Sequence, residues 1–319
     1  MKSCFCLLIL SMLSIYPVGE TFSNELTEYQ TDNSNEIFSN IDYSDMVPSN
    51  PVDPDLAFAL SSLFPGLGSA YIGDYKTAGA IAGSTFGIVG AGLATEDDNA
   101  IDNTFIAASN IVTYGMYAAY RDARNINKNY GYKYSMPQES YAELSLAPFQ
   151  WQVMKKPEVW GGILGALAVG SAVSYIIEGD QESTSMSSDE GLNGIYPLVA
   201  FSVGIGEEAL FRGALLPMFS ESFGPRGGLI ASSILFGAAH IPNAYLIEDK
   251  GARQRYLMFG VPFITAMGTY MGWISQNNNS LKECTALHSW YDFILFAASY
   301  SATNSVINQA PTFSISHRF

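Results

Sequence analysis

The chain has 319 residues, of which 48% are hydrophobic and only 14% are charged, and its formal net charge is −15. Soluble domains carry about 25% charged residues, so this composition favours a membrane protein. The 15 Lys and Arg residues are outnumbered by 30 Asp and Glu residues. A basic surface of the kind that binds nucleic acid is therefore excluded, and we expect no nucleic-acid partner.

The N-terminus starts with Met1-Lys2 and continues into an apolar run that ends before Pro17. This arrangement is typical of a secretory signal peptide, which we predict over residues 1–22, and an uncleaved membrane anchor is the alternative. Residues 23–55 are rich in Asn, Ser, Thr, Asp and Glu, which predicts an acidic disordered linker. Loss of the signal peptide would leave Cys284 as the single cysteine, so we expect no disulfide framework.

Eight apolar segments follow, each near the roughly 17–25 residues that a membrane-spanning helix needs. They predict an all-α fold, a polytopic transmembrane helical bundle of about seven to eight membrane segments. The first segment is the weakest, because Pro65, Gly66 and Gly68 interrupt it, and a re-entrant or interfacial helix is its alternative reading. The segments are 56–72, 78–94, 104–120, 160–177, 192–217, 227–247, 256–275 and 283–302.

The connection at residues 121–159 predicts the orientation of the chain. It carries six Lys or Arg residues, whereas the connections at 96–103 and 178–190 carry none. By the positive-inside rule, the basic connection is cytoplasmic. We therefore predict a leading membrane module with a cytoplasmic basic loop over residues 56–157, a second membrane domain over 158–303 and a tail over 304–319.

Glycines recur at four-residue spacing in two of the predicted segments. Gly79, Gly83 and Gly87 form one set, and Gly161 and Gly165 form the other. Small residues at this spacing let helices approach closely in lipid. The pattern predicts close helix packing at both sets.

Ionisable residues inside the predicted membrane segments are the strongest functional signal. Charged groups at that depth are costly, so they are usually paired, inward-facing and functional. Glu208 and Arg212 lie four residues apart on one helix face and can neutralise each other. Glu207 lies about 100° around the helix and lacks that partner, which makes it the candidate general base. The alternative is that both glutamates merely line a polar groove in the bundle.

Two histidines lie in later apolar segments. His240 precedes Pro242, which breaks the helix, and His288 lies four residues before Asp292. An imidazole and a carboxylate at that spacing face the same direction. Each histidine is alternatively a packing or interhelical hydrogen-bonding residue. Cys284 lies one turn before His288, and we expect it to be an inert packing residue rather than a nucleophile.

Three motifs in this region resemble those of the CAAX-processing and bacteriocin-immunity (Abi or CPBP) intramembrane endopeptidases, a family that includes the Ras-converting enzyme. The family pattern is Glu-Glu-x-x-x-Arg, then Phe-x-x-x-His, then His-x-x-x-Asn/Asp. The resemblance implies that residues 158–303 are an intramembrane protease domain in which Glu207 and His240 activate a water while His288 and Asp292 stabilise the oxyanion. The matching segments are Glu207-Glu208-Ala-Leu-Phe-Arg212, Phe236-Gly-Ala-Ala-His240 and His288-Ser-Trp-Tyr-Asp292.

Asp292 departs from the family members that have Asn, because an ionised carboxylate cannot donate a hydrogen bond to an oxyanion. We therefore expect Asp292 to orient His288 through a ring nitrogen. We expect no cofactor, and a zinc ion held by Glu207, His240 and His288 is the alternative. Glu207 and His240 enter from opposite faces and are offset in depth by about 10 Å, which tilt or shifted helix boundaries must absorb.

The expected partners are the lipid bilayer and a membrane-associated protein or peptide substrate. The predicted signal peptide and leading module fit a multi-pass protein of the bacterial inner membrane better than a eukaryotic enzyme. Intramembrane Glu and His residues also serve proton pathways. A proton-coupled transporter or a bacteriocin-immunity-type binding protein that uses the same cluster therefore remains the alternative.

Overall fold

The computed structural model of the chain describes residues 50–178 and 196–307, with backbone only for residues 302–307. Every regular element in these two ranges is helical, which confirms the all-α prediction there. The predicted signal peptide, most of the predicted linker, the connection at 179–195 and most of the predicted tail lie outside the described residues.

The first predicted membrane segment is divided into two short helices. Helix α1 (Pro54–Leu63) begins where the Asp53 carboxylate accepts the backbone N–H groups of the first turn, and it has 10 residues. Helix α2 (Leu67–Tyr71) starts after Gly66, whose φ of 80° lies in the left-handed region. At 1.5 Å per residue, α1 is about 15 Å long, half of a bilayer core of about 30 Å. The prediction of a spanning helix at 56–72 is therefore wrong, because the Pro65-Gly66 turn interrupts it.

Two longer helices complete the leading module. They are α3 (Tyr75–Leu93) and α4 (Asp98–Ile126), the second with 29 residues. Because α4 continues to Ile126, Arg121 and Arg124 lie in its last turns and not in an open loop. Buried Arg124 donates from Nη2 to the Tyr134 carbonyl at 2.8 Å, so α4 fixes the connection that follows it.

The rest of that connection also has regular structure. It contains α5 (Tyr141–Leu146), a 3-10 turn (Ala147–Phe149) and α6 (Trp151–Met154). Ser140 caps α5, since its hydroxyl accepts from the Glu143 N–H while the Glu143 carboxylate accepts from the Ser140 N–H. Such a capping box satisfies two backbone donors that the first helical turn leaves free.

The second half of the chain carries long helices joined by π-helical and 3-10 turns. A break at Gly224 (φ 73°, ψ 168°) divides one of them, α9, into two arms. The order is α7 (Pro157–Glu178), α8 (Tyr196–Glu208), a π-helix (Ala209–Leu215), α9 (Leu216–Ala239), a 3-10 helix (Ile241–Leu246), α10 (Lys250–Arg255), a second π-helix (Tyr256–Gly260), α11 (Val261–Asn278) and α12 (Lys282–Ile307).

Three helical runs in the described residues are long and apolar enough to cross a membrane. They are Pro157–Glu178, Tyr196–Leu246 and Lys250–Asn278, and the second run includes the break at Gly224. Helix α4 has the length to span but carries Asp98, Asp102 and Asp122. The structure thus supports a membrane protein, and the count of seven to eight segments stays a prediction.

The glycine repeats do not make the close contacts that their spacing predicts. A Cβ atom placed on Gly79, Gly83, Gly87 or Gly165 would have no atom within 4 Å, and one on Gly161 would reach only a tyrosine hydroxyl at 3.9 Å. These glycines lie on exposed helix faces. Within the described residues the prediction of close packing is therefore wrong at both sets. Regular spacing identifies a helix face of small residues but does not show whether another helix of the chain covers that face.

Close helix contacts occur at other glycines, on the helix that leads into the predicted site. A Cβ on Gly206 would collide with the side chain and carbonyl of Asn110, and a Cβ on Gly213 would collide with the Tyr117 ring. Asn110 and Tyr117 both belong to α4. The leading module therefore packs directly against the helix that carries Glu207 and Glu208.

We predict that Gly206→Ala lowers stability, because the added methyl group must displace the Asn110 backbone. Overpacking of this kind costs about 1–3 kcal/mol. Gly165→Ala is the matched control, since its added methyl group meets open space and alanine is the better helix former. Thermal unfolding in lipid bilayers should therefore separate the two variants. Equal midpoints for both would contradict the close approach of α4.

Candidate active site

Two helices packed side by side hold most of the predicted site residues. Helix α8 and the π-helix after it carry Glu207, Glu208 and Arg212, and α12 carries His288 and Asp292. The two helices approach closely at Gly204, where an added Cβ would collide with a serine of α12. This approach places the glutamates beside the second histidine motif.

Glu208 is the most enclosed carboxylate of the site. Its side chain has no exposed surface, and its Oε1 accepts from Arg212 Nη1 at 2.9 Å and lies 2.7 Å from His288 Nδ1. Arg212 also donates from Nη2 to the Gly268 carbonyl at 3.1 Å. The pairing of Glu208 with Arg212 that the four-residue spacing predicts is confirmed. The contact with His288 joins residues 80 positions apart, and no local pattern in the sequence indicates it.

The backbone widens into a π-helix immediately after Glu208. Such turns leave backbone groups without their usual helical partners and occur often at functional sites. Here the Ser232 hydroxyl donates to the Phe211 carbonyl at 2.8 Å. Ser232 belongs to α9, so this bond also ties the helix of His240 to the helix of the glutamates. Sequence reasoning identified neither the π-helix nor Ser232.

Glu207 has a different environment from its neighbour. Its side chain is 19% exposed, and its Oε2 is buried with no hydrogen-bond partner among the described residues. The nearest imidazole nitrogen is His288 Nε2 at 3.9 Å. Glu208 Oε2 also has no hydrogen-bond partner among the described residues. The two glutamates differ because Arg212 and His288 fix Glu208 through Oε1 at 2.9 and 2.7 Å, whereas no contact this short is made by Glu207 Oε2.

His288 lies between three carboxylates. Its Nδ1 faces Glu208, whereas its Nε2 is 3.4 Å from Asp292 Oδ2 and 3.9 Å from Glu207 Oε2. From the sequence we expected Asp292 to orient the imidazole ring of His288. The shorter contact, at 2.7 Å, is made by Glu208, so Glu208 has the larger part in fixing the ring and Asp292 faces the opposite nitrogen.

His240 ends α9 and is held by its own helix. Its Nδ1 lies 2.8 Å from the Phe236 carbonyl. Because a carbonyl only accepts, Nδ1 carries a proton, and in the neutral imidazole Nε2 is then the acceptor. The His240 carbonyl in turn accepts from the Tyr256 hydroxyl at 3.2 Å. His240 is close enough to Glu207 to interact with it electrostatically.

Phe236 joins the two histidines across the site. Its buried ring packs edge-on against His240 and His288, with ring centroids 4.9 and 6.0 Å away. The Arg212 guanidinium lies 4.1 Å from the Phe236 centroid, a cation–π distance. Phe236 lies one helical turn before His240, and its ring therefore connects His240 with the part of the site that holds His288 and Arg212.

Cys284 lies on α12, one turn before His288. Cys284 is fully buried, and its thiol donates to the Leu281 carbonyl at 3.2 Å, which is the packing role that we expected. Among the described residues, no group of three or more His, Cys, Asp or Glu side chains is arranged to hold a metal ion.

The apolar helices point to an integral membrane protein of helices, and its candidate site is a cluster of glutamates and histidines. Residues 191–294 match the model of a family described as Rce1-like, type II CAAX prenyl endopeptidase Rce1-like. The match spans about a third of the chain, includes all six predicted site residues and confirms the family resemblance. No curated protein and no solved structure matches the chain.

We predict that Arg212→Ala lowers the amount of folded protein in membranes. Removal of one member of a buried ion pair costs about 3–5 kcal/mol, because the other charge stays buried without a partner. Arg226→Ala, at an exposed position of α9, is the matched control for loss of an arginine. Membrane accumulation and thermal unfolding provide the measurements. Wild-type values for Arg212→Ala would refute the pairing.

Proposed function

We propose that this protein is an intramembrane endopeptidase that hydrolyses a peptide bond of a membrane-associated protein or peptide. The family match supports a protease of the CAAX type. The observation that carries the mechanism is the contrast between the two adjacent glutamates. Glu208 Oε1 is bonded to Arg212 and His288, whereas Glu207 has no arginine partner among the described residues and its Oε2 lies 3.9 Å from His288 Nε2.

In the proposed reaction Glu207 is the general base. It takes a proton from a water molecule while the water oxygen attacks the carbonyl carbon of the scissile bond, and the carbonyl electron pair moves onto oxygen. The protonated Glu207 then gives this proton to the amide nitrogen as the C–N bond breaks, leaving a carboxyl group and an amine. His240 assists because its free Nε2 can accept a hydrogen bond from the same water.

In this proposal His288 stabilises the oxyanion. The Nε2 atom of His288 lies 3.9 Å from Glu207 Oε2. Because Nδ1 donates to Glu208, the donor at Nε2 is that of the imidazolium form, whose N–H can bond a developing negative charge. Asp292 cannot donate while ionised, so its part is to hold the Nε2 side of the imidazole from 3.4 Å. Glu208 and Arg212 do not touch the substrate, and they act by positioning His288.

We further propose that the mechanism is a metal-free glutamic one and that the substrate is held at the membrane. Because the proposed base, Glu207, lies within a bundle of apolar helices, we expect the scissile peptide bond to lie close to the membrane. Prenylated CAAX proteins are the expected substrates only in a eukaryotic source, and for a bacterial inner-membrane protein we expect a membrane-tethered peptide.

We predict that Glu207→Gln abolishes most peptide cleavage without loss of folded protein. Glutamine keeps the shape of the side chain but cannot accept the proton, so hydrolysis should fall by the roughly 10²–10⁴-fold that general-base catalysis contributes. His240→Ala should cause a similar loss, and the double variant should be little worse than either single one, because groups that act as a unit are not additive. The assay is cleavage of membrane-tethered peptides by purified protein, with folding checked by thermal unfolding.

The same assay separates the alternatives. A zinc chelator should leave wild-type cleavage intact, and loss of cleavage that added zinc restores would replace the metal-free mechanism. Full cleavage by Glu207→Gln would remove Glu207 as the base. Absence of wild-type cleavage together with proton-driven transport that Glu207→Gln abolishes would favour the transporter instead.

A further inference from the structure

The connection before α7 contains an uncharged stretch that the cytoplasmic loop assignment does not explain. From Leu144 to Met154 there are 11 residues without a charge, bounded by Glu143 on one side and by Lys155 and Lys156 on the other. Eight of these 11 side chains are apolar, and the other three are Ser145, Gln150 and Gln152. Predominantly apolar stretches of about 10–14 residues are too short to cross a bilayer and form buried core helices or re-entrant or interfacial segments.

Both ends of this stretch are fixed to the same turn of α12. At one end the Lys282 Nζ atom lies 3.1 Å from Glu143 Oε1, and at the other the Lys156 Nζ atom lies 2.5 Å from Glu283 Oε1. The Ser140 N–H, Lys282 and the Ser140 hydroxyl lower the pKa of Glu143 to about 2. The Glu143 carboxylate therefore stays ionised above that pH and remains able to pair with Lys282.

The middle of the stretch lies further along α12 than its ends do. The Trp290 Nε1 atom donates to the Pro148 carbonyl at 2.8 Å. Trp290 follows Lys282 by eight residues, which corresponds to about 12 Å along a helix. The chain therefore runs along α12 toward its C-terminal end from Glu143 to Pro148. By Lys156 it is again level with the first turn of α12.

The two faces of the stretch differ in their surroundings. Leu144, Ala147, Pro148 and Val153 are buried against the bundle. Leu146, Phe149 and Trp151 point outward, with 57%, 62% and 74% of their surface exposed. The Phe149 ring also contacts Phe201 of α8 and Trp290 of α12, at centroid distances of 5.3 and 6.0 Å. The outward side chains are therefore continuous with the apolar surface of these two helices.

Several backbone groups of the stretch are hydrogen-bonded within the protein. The N–H of Gln150 donates to the Ala147 carbonyl, and the N–H groups of Val153 and Met154 donate to the Gln150 carbonyl. Proline at 148 has no N–H to satisfy, and its carbonyl accepts from Trp290. Irregular backbone at membrane depth is tolerated only when its polar groups are bonded within the protein.

We infer that residues 144–154 form a re-entrant segment whose outward face, made by Leu146, Phe149 and Trp151, binds the acyl chains of the bilayer. The segment enters and leaves on the same face, so it does not change the number of crossings or the orientation that the basic residues predict. The inference is independent of the proposed protease reaction.

The test is the membrane depth of spin labels on the full chain in lipid bilayers. Labels at Phe149→Cys and Trp151→Cys, in a Cys4→Ser, Cys6→Ser, Cys284→Ala background, should collide more with oxygen than with a water-soluble nickel complex. Leu164→Cys, exposed on the spanning helix α7, is the control for lipid, and Lys133→Cys, exposed on the same connection, is the control for water. A label at Tyr141→Cys marks the depth at which the segment begins.

A label at residue 149 that is deeper than the label at 141 supports the re-entrant segment. Labels at 149 and 151 that behave like the label at 133, or that lie no deeper than the label at 141, overturn it. If the labelled proteins do not fold, quenching by brominated lipids provides a second measurement on the native side chain. Wild type should then lose more fluorescence than Trp151→Phe does, and equal loss would overturn the inference.

Discussion

The buried contact of Glu208 with Arg212 and His288 is the interaction on which the site depends. A carboxylate without exposed surface is tolerated in a low-dielectric interior only when it is paired and hydrogen-bonded. Arg212 supplies the opposite charge from the same helix, His288 brings in α12, and the bond from Arg212 to the Gly268 carbonyl brings in α11. One ion pair therefore sets the relative positions of three helices.

The same contact explains why neighbouring glutamates have separate roles. Partners on one side of the helix fix Glu208. The rotation of about 100° between successive residues places Glu207 toward His240 and toward the Nε2 side of His288, which Asp292 also faces. Helix α4 supports this arrangement from behind, through Asn110 at Gly206 and Tyr117 at Gly213. It lies outside the region that matches the family, so the leading module is part of the framework that positions the site.

Local patterns predicted the parts of the site that are local. The four-residue spacing of Glu208 and Arg212 and the order of the three motifs were sufficient for the ion pair and the family. The contacts of His288 with Glu208 and of Phe236 with both histidines depend on tertiary packing, which no spacing encodes. The glycine repeats were misread for a related reason, since a pattern along one helix does not show which face another helix covers. The π-helix after Glu208 leaves no recognised signal in its sequence.

The basic connection shows a second limit of sequence reasoning. Its charges predicted a cytoplasmic loop, but averaging over residues 121–159 concealed the uncharged stretch that begins at Leu144. Arg121 and Arg124 belong to the end of α4, and Lys155 and Lys156 immediately precede α7. The charges thus mark where helices end, while the stretch between them packs along α12.

The most direct measurement is a side-by-side comparison of Glu207→Gln and Glu208→Gln, with peptide cleavage and thermal unfolding recorded for both. The two substitutions remove the same charge from adjacent positions, so each is the control for the other. We expect Glu207→Gln to keep the wild-type unfolding temperature and lose cleavage, and Glu208→Gln to lose stability because Arg212 stays buried without its partner. Equal effects of both substitutions on stability, or cleavage that survives in Glu207→Gln, would contradict the separation of one structural glutamate from one catalytic glutamate.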